Sequence, residues 1–524
     1  MSAVIAASSS VNESVKTTSI ARLKSYLLYS LFASLYILPF MRLYMLGTDE
    51  GILDNGAVRI IHGQVFARDF FEVIGPGTFY WLAAFLRLFG VSFMATRICL
   101  FITSLGTALL MYFLSRRICT RYRILPCLIL AGTYFSGLWP AISHHVDSNF
   151  LALLTVALMV LWRDKRSLAL LIASGASAGL TTAFLQPKGV LLFCALLIWL
   201  WVLYRRGSAS PYSFGVVIGG YLSIIGLVLL YFWSNRALGS LLYVNVVWPT
   251  QHYWGVNSVP YAYSFVSNFW NHFVIAKSDY GWTILIGIVL IAPVFLVAAL
   301  PVLLPVLGAR YRWGVASPEV LLYWLCGGAM WVAELHRKDM THLIFGSPLL
   351  IILCVYFLAE YREAIAGSAL QLLSISASCL AGFNLLVVLL AAHPIPTRVG
   401  TVYTFRELPG LQYLEAHTNR GEEIFAYPYC PRYYFLADTT NPTPYFILTY
   451  NYNTPSQFQE VVRILEQRKV RYVVWDTNLD KIKPAVFPGS ARLPPGGLVV
   501  EPYLESHYKD VLVVDGVRIM EREK

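Results

Sequence analysis

Apolar stretches close to the length of a membrane span recur along most of this chain. A bilayer core about 30 Å thick needs roughly 20 apolar residues of helix to cross it. Inside it every backbone N–H and C=O must find a partner within the protein, which leaves helices or closed barrels. Runs of this length select helices. The composition agrees, with 57% hydrophobic and 13% charged residues and a mean hydropathy of +0.59, against about 25% charge in soluble domains. The chain reads as a polytopic α-helical membrane protein.

The hydropathy rule gives about eleven spans, at 25–46, 92–115, 124–140, 149–162, 168–185, 189–204, 214–233, 283–307, 320–334, 343–360 and 368–391. Basic clusters punctuate them: Arg116, Arg117, Arg121 and Arg123; Arg163, Lys165 and Arg166; Arg205 and Arg206; Arg310 and Arg312; Arg362. Positive residues mark the cytoplasmic side. With the N-terminus inside, every cluster falls inside, and 47–91, 141–148, 234–282 and the tail after 392 fall outside. The first twenty residues are polar with no cleavage signature, so the first span is expected to stay as an anchor. The net charge of +11 is scattered over loops rather than gathered on one surface, which argues against nucleic-acid binding. Of eight cysteines only Cys430 lies in the tail, and no spacing suggests zinc.

Three extramembrane stretches stand out. Phe79 to Phe89 is apolar, too short to span and carries Arg87, the pattern of an interfacial helix. Residues 234–282 are dense in Tyr and Trp, among them Tyr243, Trp248, Tyr253, Trp254, Tyr261, Tyr263, Trp270, Tyr280 and Trp282. These suit an aromatic belt at the membrane surface or a lipid or sugar groove. In the tail, apolar residues at helical spacing over 458–466 precede a β-rich run at 470–475, with further strands at 422–426 and 510–514. That order suggests a small α/β domain.

The first outer segment carries the chemistry. It reads Asp49-Glu50-Gly51, then Arg68-Asp69-Phe70-Phe71-Glu72, then Gly75-Pro76-Gly77-Thr78, and the next outer loop holds Ser143-His144-His145-Val146-Asp147. Carboxylates at a membrane edge are costly and usually mark chemistry. This pattern resembles the integral-membrane glycosyltransferases of the GT-C class, in the manner of glycosyltransferase family 39: bacterial relatives of the protein O-mannosyltransferases and of the aminoarabinose transferase that modifies lipid A. The resemblance covers roughly residues 20–360 by architecture. It implies a GT-C fold with an outer α/β domain, a bacterial cytoplasmic membrane, a polyprenyl-phosphate sugar donor and a dedicated synthase of that donor upstream.

Transfer from such a donor needs a base for the acceptor hydroxyl and cations or a metal for the leaving phosphate. The resemblance places the base at Asp49, with Glu50 orienting the acceptor or binding metal. The same pair would also serve simply to cap the next helix. Asp147, with His144, completes a divalent-metal site with Asp49 or sits in a solvated loop, and Mg or Mn is left open. Basic residues on the outer side are the donor-binding candidates: Arg68, Lys188, and Arg337 and Lys338 with His342 in His336-Arg337-Lys338-Asp339-Met340-Thr341-His342. They pair with phosphate or snorkel to lipid head groups, and Arg68 also has Asp69 beside it.

The expectation is a tail at 1–24, a GT-C membrane domain at 25–391 with its catalytic segment at 47–91, and an extracytoplasmic α/β domain at 392–524. The expected activity is inverting transfer of a sugar to a lipid, glycan or protein acceptor. A transporter or flippase of lipid-linked sugars is the alternative, although no internal repeat of the transporter kind is visible. An inactive scaffold is the third reading.

Overall fold

The computed structural model describes residues 22–44, 48–134, 141–253, 258–263, 281–310, 317–360, 364–449, 452–478 and 499–523. The membrane part runs α1 (Arg22–Arg42), α2 (Thr48–Ile61), α3 (Pro76–Phe89), α4 (Phe93–Ile118), α5 (Leu125–Tyr134), α6 (His144–Lys165), α7 (Leu168–Phe184), α8 (Gln186–Arg205) and α9 (Pro211–Ser234). It continues with α10 (Leu238–Leu242) and two π-helical turns to Tyr253, then α11 (Gly281–Arg310), α12 (Pro318–Glu334), α13 (Met340–Gly346), α14 (Pro348–Glu360) and α15 (Ala364–Ala391). Among the described residues a helix lies within every expected span, and the ends 45–46 and 135–140 of the first and third spans lie outside the described residues. Among the described residues seven helices are long and apolar enough to cross a membrane. The 343–360 span is a broken pair, α13 and α14, bent by 71°. Pro348 opens α14, where its missing N–H cannot continue the preceding helix.

Lipid-facing and protein-facing sides separate by residue size. Leu23, Leu27, Leu31 and Leu35 lie exposed at four-residue spacing on α1, one stripe of a helix. Small residues let α7 reach α9: a Cβ on Gly175 would stand 2.2 Å from the Val217 carbonyl oxygen, and one on Gly179 2.9 Å from that of Tyr221. This is the small-xxx-small packing of membrane helices. Ser174 and Ser177 donate from the same helix to the Thr155 (3.2 Å) and Leu151 (2.9 Å) carbonyls of α6. Far from the Asp49 end, Arg117 reaches Asp164 (2.9 Å) and Glu319 (3.5 Å), and Arg163 also pairs with Glu319. The C-terminal ends of α4 and α6 thus meet the start of α12.

The tail builds a sheet of β3 (Ile424–Tyr427), β4 (Tyr472–Asp476), β5 (Tyr508–Val514) and β6 (Val517–Arg522), after a two-stranded ribbon of β1 (His393–Ile395) and β2 (Val402–Thr404). Its order is β3-β4-β6-β5, with β3 parallel to β4 and the other pairs antiparallel. Alternation sorts the residues between two layers. Ile424, Ala426, Val474 and Ile519 join a core with α16 (Leu411–His417) and α17 (Arg432–Leu436). Phe425, Val473 and Met520 join the other with α18 (Pro455–Arg468) and α19 (Val500–His507). The lobe seats directly on the segment after the first span. Gly51 is needed there, because a Cβ would stand 2.6 Å from the Arg432 backbone nitrogen. Phe71 donates its N–H to Pro444 (2.8 Å), Tyr44 to Tyr403 (2.9 Å) and Phe93 to Val399 (2.8 Å).

One ion pair ties this arrangement together. Glu50, on α2, is paired with Arg97 in the first turns of α4, and both side chains are buried. The Arg97 guanidinium also lies over the Phe93 ring, 4.4 Å from its centroid. Breaking a buried pair on one side strands the other charge at a cost of about 3–5 kcal/mol. Glu50→Gln is therefore expected to lower the unfolding midpoint in mild detergent markedly. Asp49→Gln, next to it, is expected to leave that midpoint nearly unchanged.

Candidate active site

The segment after α1, the starts of α6 and α8, the turn between α12 and α13 and the tail lobe close around one cavity of about 370 Å³. One side is acidic. Thr48–Ile61 is a helix with Asp49 and Glu50 in its first turn, where negative charge favours the helix dipole. Successive helical residues point about 100° apart, so the neighbours part company: Asp49 lines the cavity and Glu50 turns inward to Arg97. Asp49 accepts a hydrogen bond from the Tyr429 hydroxyl at 3.0 Å. Glu50 therefore does not face the cavity with Asp49. Asp54, one turn further along α2, is fully buried beside the Glu50–Arg97 pair, and burial together with Glu50 raises its pKa well above the usual range.

Glu72 is the second cavity carboxylate, and the sequence reading did not single it out as a site residue. It closes the Arg68–Glu72 motif and is 2% exposed. The Val73 N–H (2.8 Å) and the Tyr452 hydroxyl (3.0 Å) donate to it. Burial pushes its pKa up to about 7; those two donors pull it down and Asp49 adds to the rise. A carboxyl that gains and loses its proton near neutrality suits proton transfer. The signal available in the sequence was a glutamate directly after two phenylalanines. The contribution of Tyr429 and Tyr452 from the tail was not legible there.

The opposite side is imidazole and guanidinium. Asp339 caps α13 by accepting from the His342 N–H (3.1 Å), and its carboxylate also meets His342 Nδ1 at 2.7 Å and Arg337 Nε at 2.6 Å. Burial works against the Asp339 anion, but His342 and Arg337 together hold its pKa well below the usual range. His336 Nδ1 meets the Ala333 carbonyl at 2.9 Å. Burial lowers its pKa to about 4, with His342 adding to the shift, so the ring is neutral near pH 7.

Several expected site residues stand elsewhere. His144 and His145 line the cavity, but in the first turn of α6 rather than in a loop, because Ser143 caps that helix by accepting from the His145 N–H (3.2 Å). Asp147 is buried in the same turn near Thr78 and Thr103 and does not line the cavity. The expected Asp49–Asp147–His144 metal set is thus not what the fold gathers. Among the described residues it is His145, Glu334, His336 and His342 that bring one donor atom each within 4.8 Å of one another. Lys188 is not in an outer connection facing the donor. It is fully buried in the first turn of α8, 2.6 Å from Glu334 Oε1 and 2.6 Å from Asn149 Oδ1. Arg337 and His342 line the cavity, whereas Lys338 does not. Arg68 is exposed and engaged with Asp69 (2.8 Å) and the Asn235 carbonyl (3.0 Å), away from the cavity. Of the aromatic segment, Tyr253 and Pro249 line the cavity and Trp248 is buried. Trp254, Trp270 and Tyr280 lie outside the described residues.

Neither a family model nor a curated relative matches the amino-acid sequence. Solved structures do match the fold. ArnT from Cupriavidus metallidurans in the apo state is 11% identical, with a TM-score of 0.58 over 96% of this chain and 98% of that one. The same protein bound to undecaprenyl phosphate gives 12% identity and 0.56 over 95% and 98%. The apo oligosaccharyltransferase of Archaeoglobus fulgidus gives 14% identity and 0.53 over 93% of this chain and 73% of that one. The chain thus has the polytopic GT-C fold.

The raised pKa of Glu72 makes a prediction about stability. The folded chain holds this proton more tightly than the unfolded chain, whose glutamates titrate near 4.5. Stability is therefore lost as the pH rises from about 4.5 through about 7, by on the order of 3 kcal/mol. Glu72→Gln keeps the acceptor oxygen and carries no charge. It is expected to unfold later than wild type at pH 8 and together with it near pH 4.5, read as unfolding midpoints in detergent at the two pH values.

Proposed function

We propose that this protein is a membrane glycosyltransferase that moves a sugar from a polyprenyl-phosphate donor to a hydroxyl of a lipid, glycan or protein acceptor. One observation carries the reading. A single cavity, under the tail lobe at one end of the helix bundle, has Asp49 and Glu72 on one side and Arg337 with the histidines on the other. Such a reaction needs a proton acceptor and a stabiliser of developing phosphate charge within one substrate's reach. The GT-C fold shared with ArnT, which has been solved with undecaprenyl phosphate bound, supports a donor of that class.

The step we propose is a single inverting displacement. The acceptor oxygen attacks the anomeric carbon, its proton passes to Asp49, and the bond from that carbon to the phosphate oxygen breaks with its electron pair leaving on the phosphate. Tyr429 holds the Asp49 carboxylate toward the cavity. Arg337, which Asp339 steadies, lines the cavity and supplies the positive charge that faces the phosphate. Lys188 acts through the wall it builds rather than by touching the donor. A divalent ion held at the histidine cluster would add positive charge for the same phosphate. In this reading the tail lobe, the cavity and the donor share the outer face of a bacterial cytoplasmic membrane. Residues 1–24 form the cytoplasmic tail, 25–391 the membrane domain and 392–524 the outer domain.

The test is transfer by purified protein in nanodiscs, supplied with labelled polyprenyl-phosphate sugars and a membrane extract as acceptor source. Asp49→Asn is expected to lower kcat by roughly two to four orders of magnitude with an unchanged unfolding midpoint. Arg68→Gln is expected to transfer at the wild-type rate. Transfer at full rate by Asp49→Asn would remove the base assignment, and no transfer from any donor by folded protein would remove the reading.

A further inference from the structure

Three imidazoles at the wall of the cavity share one feature. In each, Nδ1 lies beside a group that can only accept a hydrogen bond. His145 Nδ1 is 2.9 Å from the Glu334 carboxylate, His342 Nδ1 is 2.7 Å from the Asp339 carboxylate, and His336 Nδ1 is 2.9 Å from the Ala333 carbonyl. Each ring therefore carries a proton on Nδ1, and in its neutral form presents its lone pair at Nε2. Metal-ligating histidines are oriented in this way, the far N–H given to a carboxylate or carbonyl. Ring separations agree. Around one tetrahedral ion with metal–nitrogen distances of about 2.0–2.1 Å, ring centroids stand roughly 5 Å apart. Here they are 4.7 Å (His145–His342), 5.1 Å (His336–His342) and 6.1 Å (His145–His336). Phe345, stacked parallel on His145 at 4.9 Å, holds that ring in its plane.

The surrounding charges are already matched. Glu334 is paired with Lys188, and Asp339 with Arg337. An ion added to three neutral imidazoles would keep its positive charge, and that charge would face the cavity. Nitrogen donors also select the ion. Imidazole suits zinc and its neighbours, whereas magnesium and manganese prefer oxygen.

We infer that His145, His336 and His342 form a three-histidine site for a zinc-class divalent ion, open toward the cavity at its fourth position. Such open three-histidine zinc sites bind a water or a substrate oxygen, here a phosphate oxygen of the donor. The binding of the ion stands on the histidines alone; only this role rests on the transfer reading.

The test uses full-length protein purified without a polyhistidine tag, stripped with chelator and reloaded with zinc or cobalt. Wild type is expected to retain a single zinc per chain by mass spectrometry, and to show the visible absorption of tetrahedral cobalt. His336→Ala/His342→Ala is expected to lose both, while unfolding at the midpoint of chelated wild type. Asp339→Asn keeps all three rings and is expected to weaken zinc roughly tenfold to a hundredfold. Equal metal content in wild type and the double variant, or no uptake by folded wild type, would overturn the site. Metal bound as expected with no sugar transfer from any donor would sustain the site and remove the transfer reading. Transfer by wild type that takes up no metal would do the reverse.

Discussion

A lysine that no water reaches stays charged only while an anion stays beside it. Lys188 and Glu334 are such a pair, both wholly buried and 2.6 Å apart. The desolvation cost of two ions in an interior is several kcal/mol each. It is offset only if the remaining donors and acceptors are also met. Here the lysine side is met: Ser148 and Asn149 from α6 accept further Lys188 protons, and His145 stands against the Glu334 carboxylate. The pair therefore joins α6, α8 and α12 at the level of the cavity. It also decides which nitrogen of His145 holds the proton. Stability of the bundle and chemistry of the cavity wall come from the same contacts, so a change at Lys188 reads as a folding defect before it reads as a kinetic one.

The fold was legible because hydropathy reports what lipid demands of a backbone. Within the described residues each long apolar run is helical, and the helix and strands foreseen at 458–466, 470–475 and 510–514 formed as α18, β4 and β5. The misjudged boundaries lie where the protein, not lipid, surrounds a helix. Residues 144–149 of α6 read His-His-Val-Asp-Ser-Asn, polar enough to pass for a loop, yet all are buried. Hydropathy cannot distinguish a polar residue facing water from one facing another helix. The same blindness set the fourth span late at 149 and placed Lys188 in an open connection.

Less of the site was legible, and for a different reason. Asp49, Arg337 and His342 line the cavity, as residue types at the right end of a span suggested. Glu50, Lys338 and Arg68 carry the right charge beside the right neighbours, and the fold turns them away. A charge pattern gives the residue but not its azimuth on the helix, and one step along a helix rotates a side chain by about 100°. The partners that tune the cavity carboxylates, Tyr429 and Tyr452, each come from 380 residues away. No local pattern encodes such a pairing. Only the seating of the tail lobe on α2, through Gly51 and the backbone of Arg432, brings it about.

That seating explains why the cavity has two chemical faces. The acidic face is built from the segment after α1 and tuned by the tail; the cationic and imidazole face is built from the starts of α6 and α8 and the α12–α13 turn. The two sets are held by different ion pairs. The first is held to the bundle by Glu50–Arg97 and to the lobe by backbone hydrogen bonds such as Phe71 to Pro444. The second is held within the bundle by Lys188–Glu334. Two ion pairs thus brace the two faces without either pair lining the cavity. Opposed functions need opposed fields, and a chain can keep a carboxylate of pKa about 7 near guanidinium and imidazole only if separate frameworks prevent the two from collapsing into a salt bridge. The buried pairs supply that separation, at the desolvation cost that makes each of them sensitive to the loss of one partner.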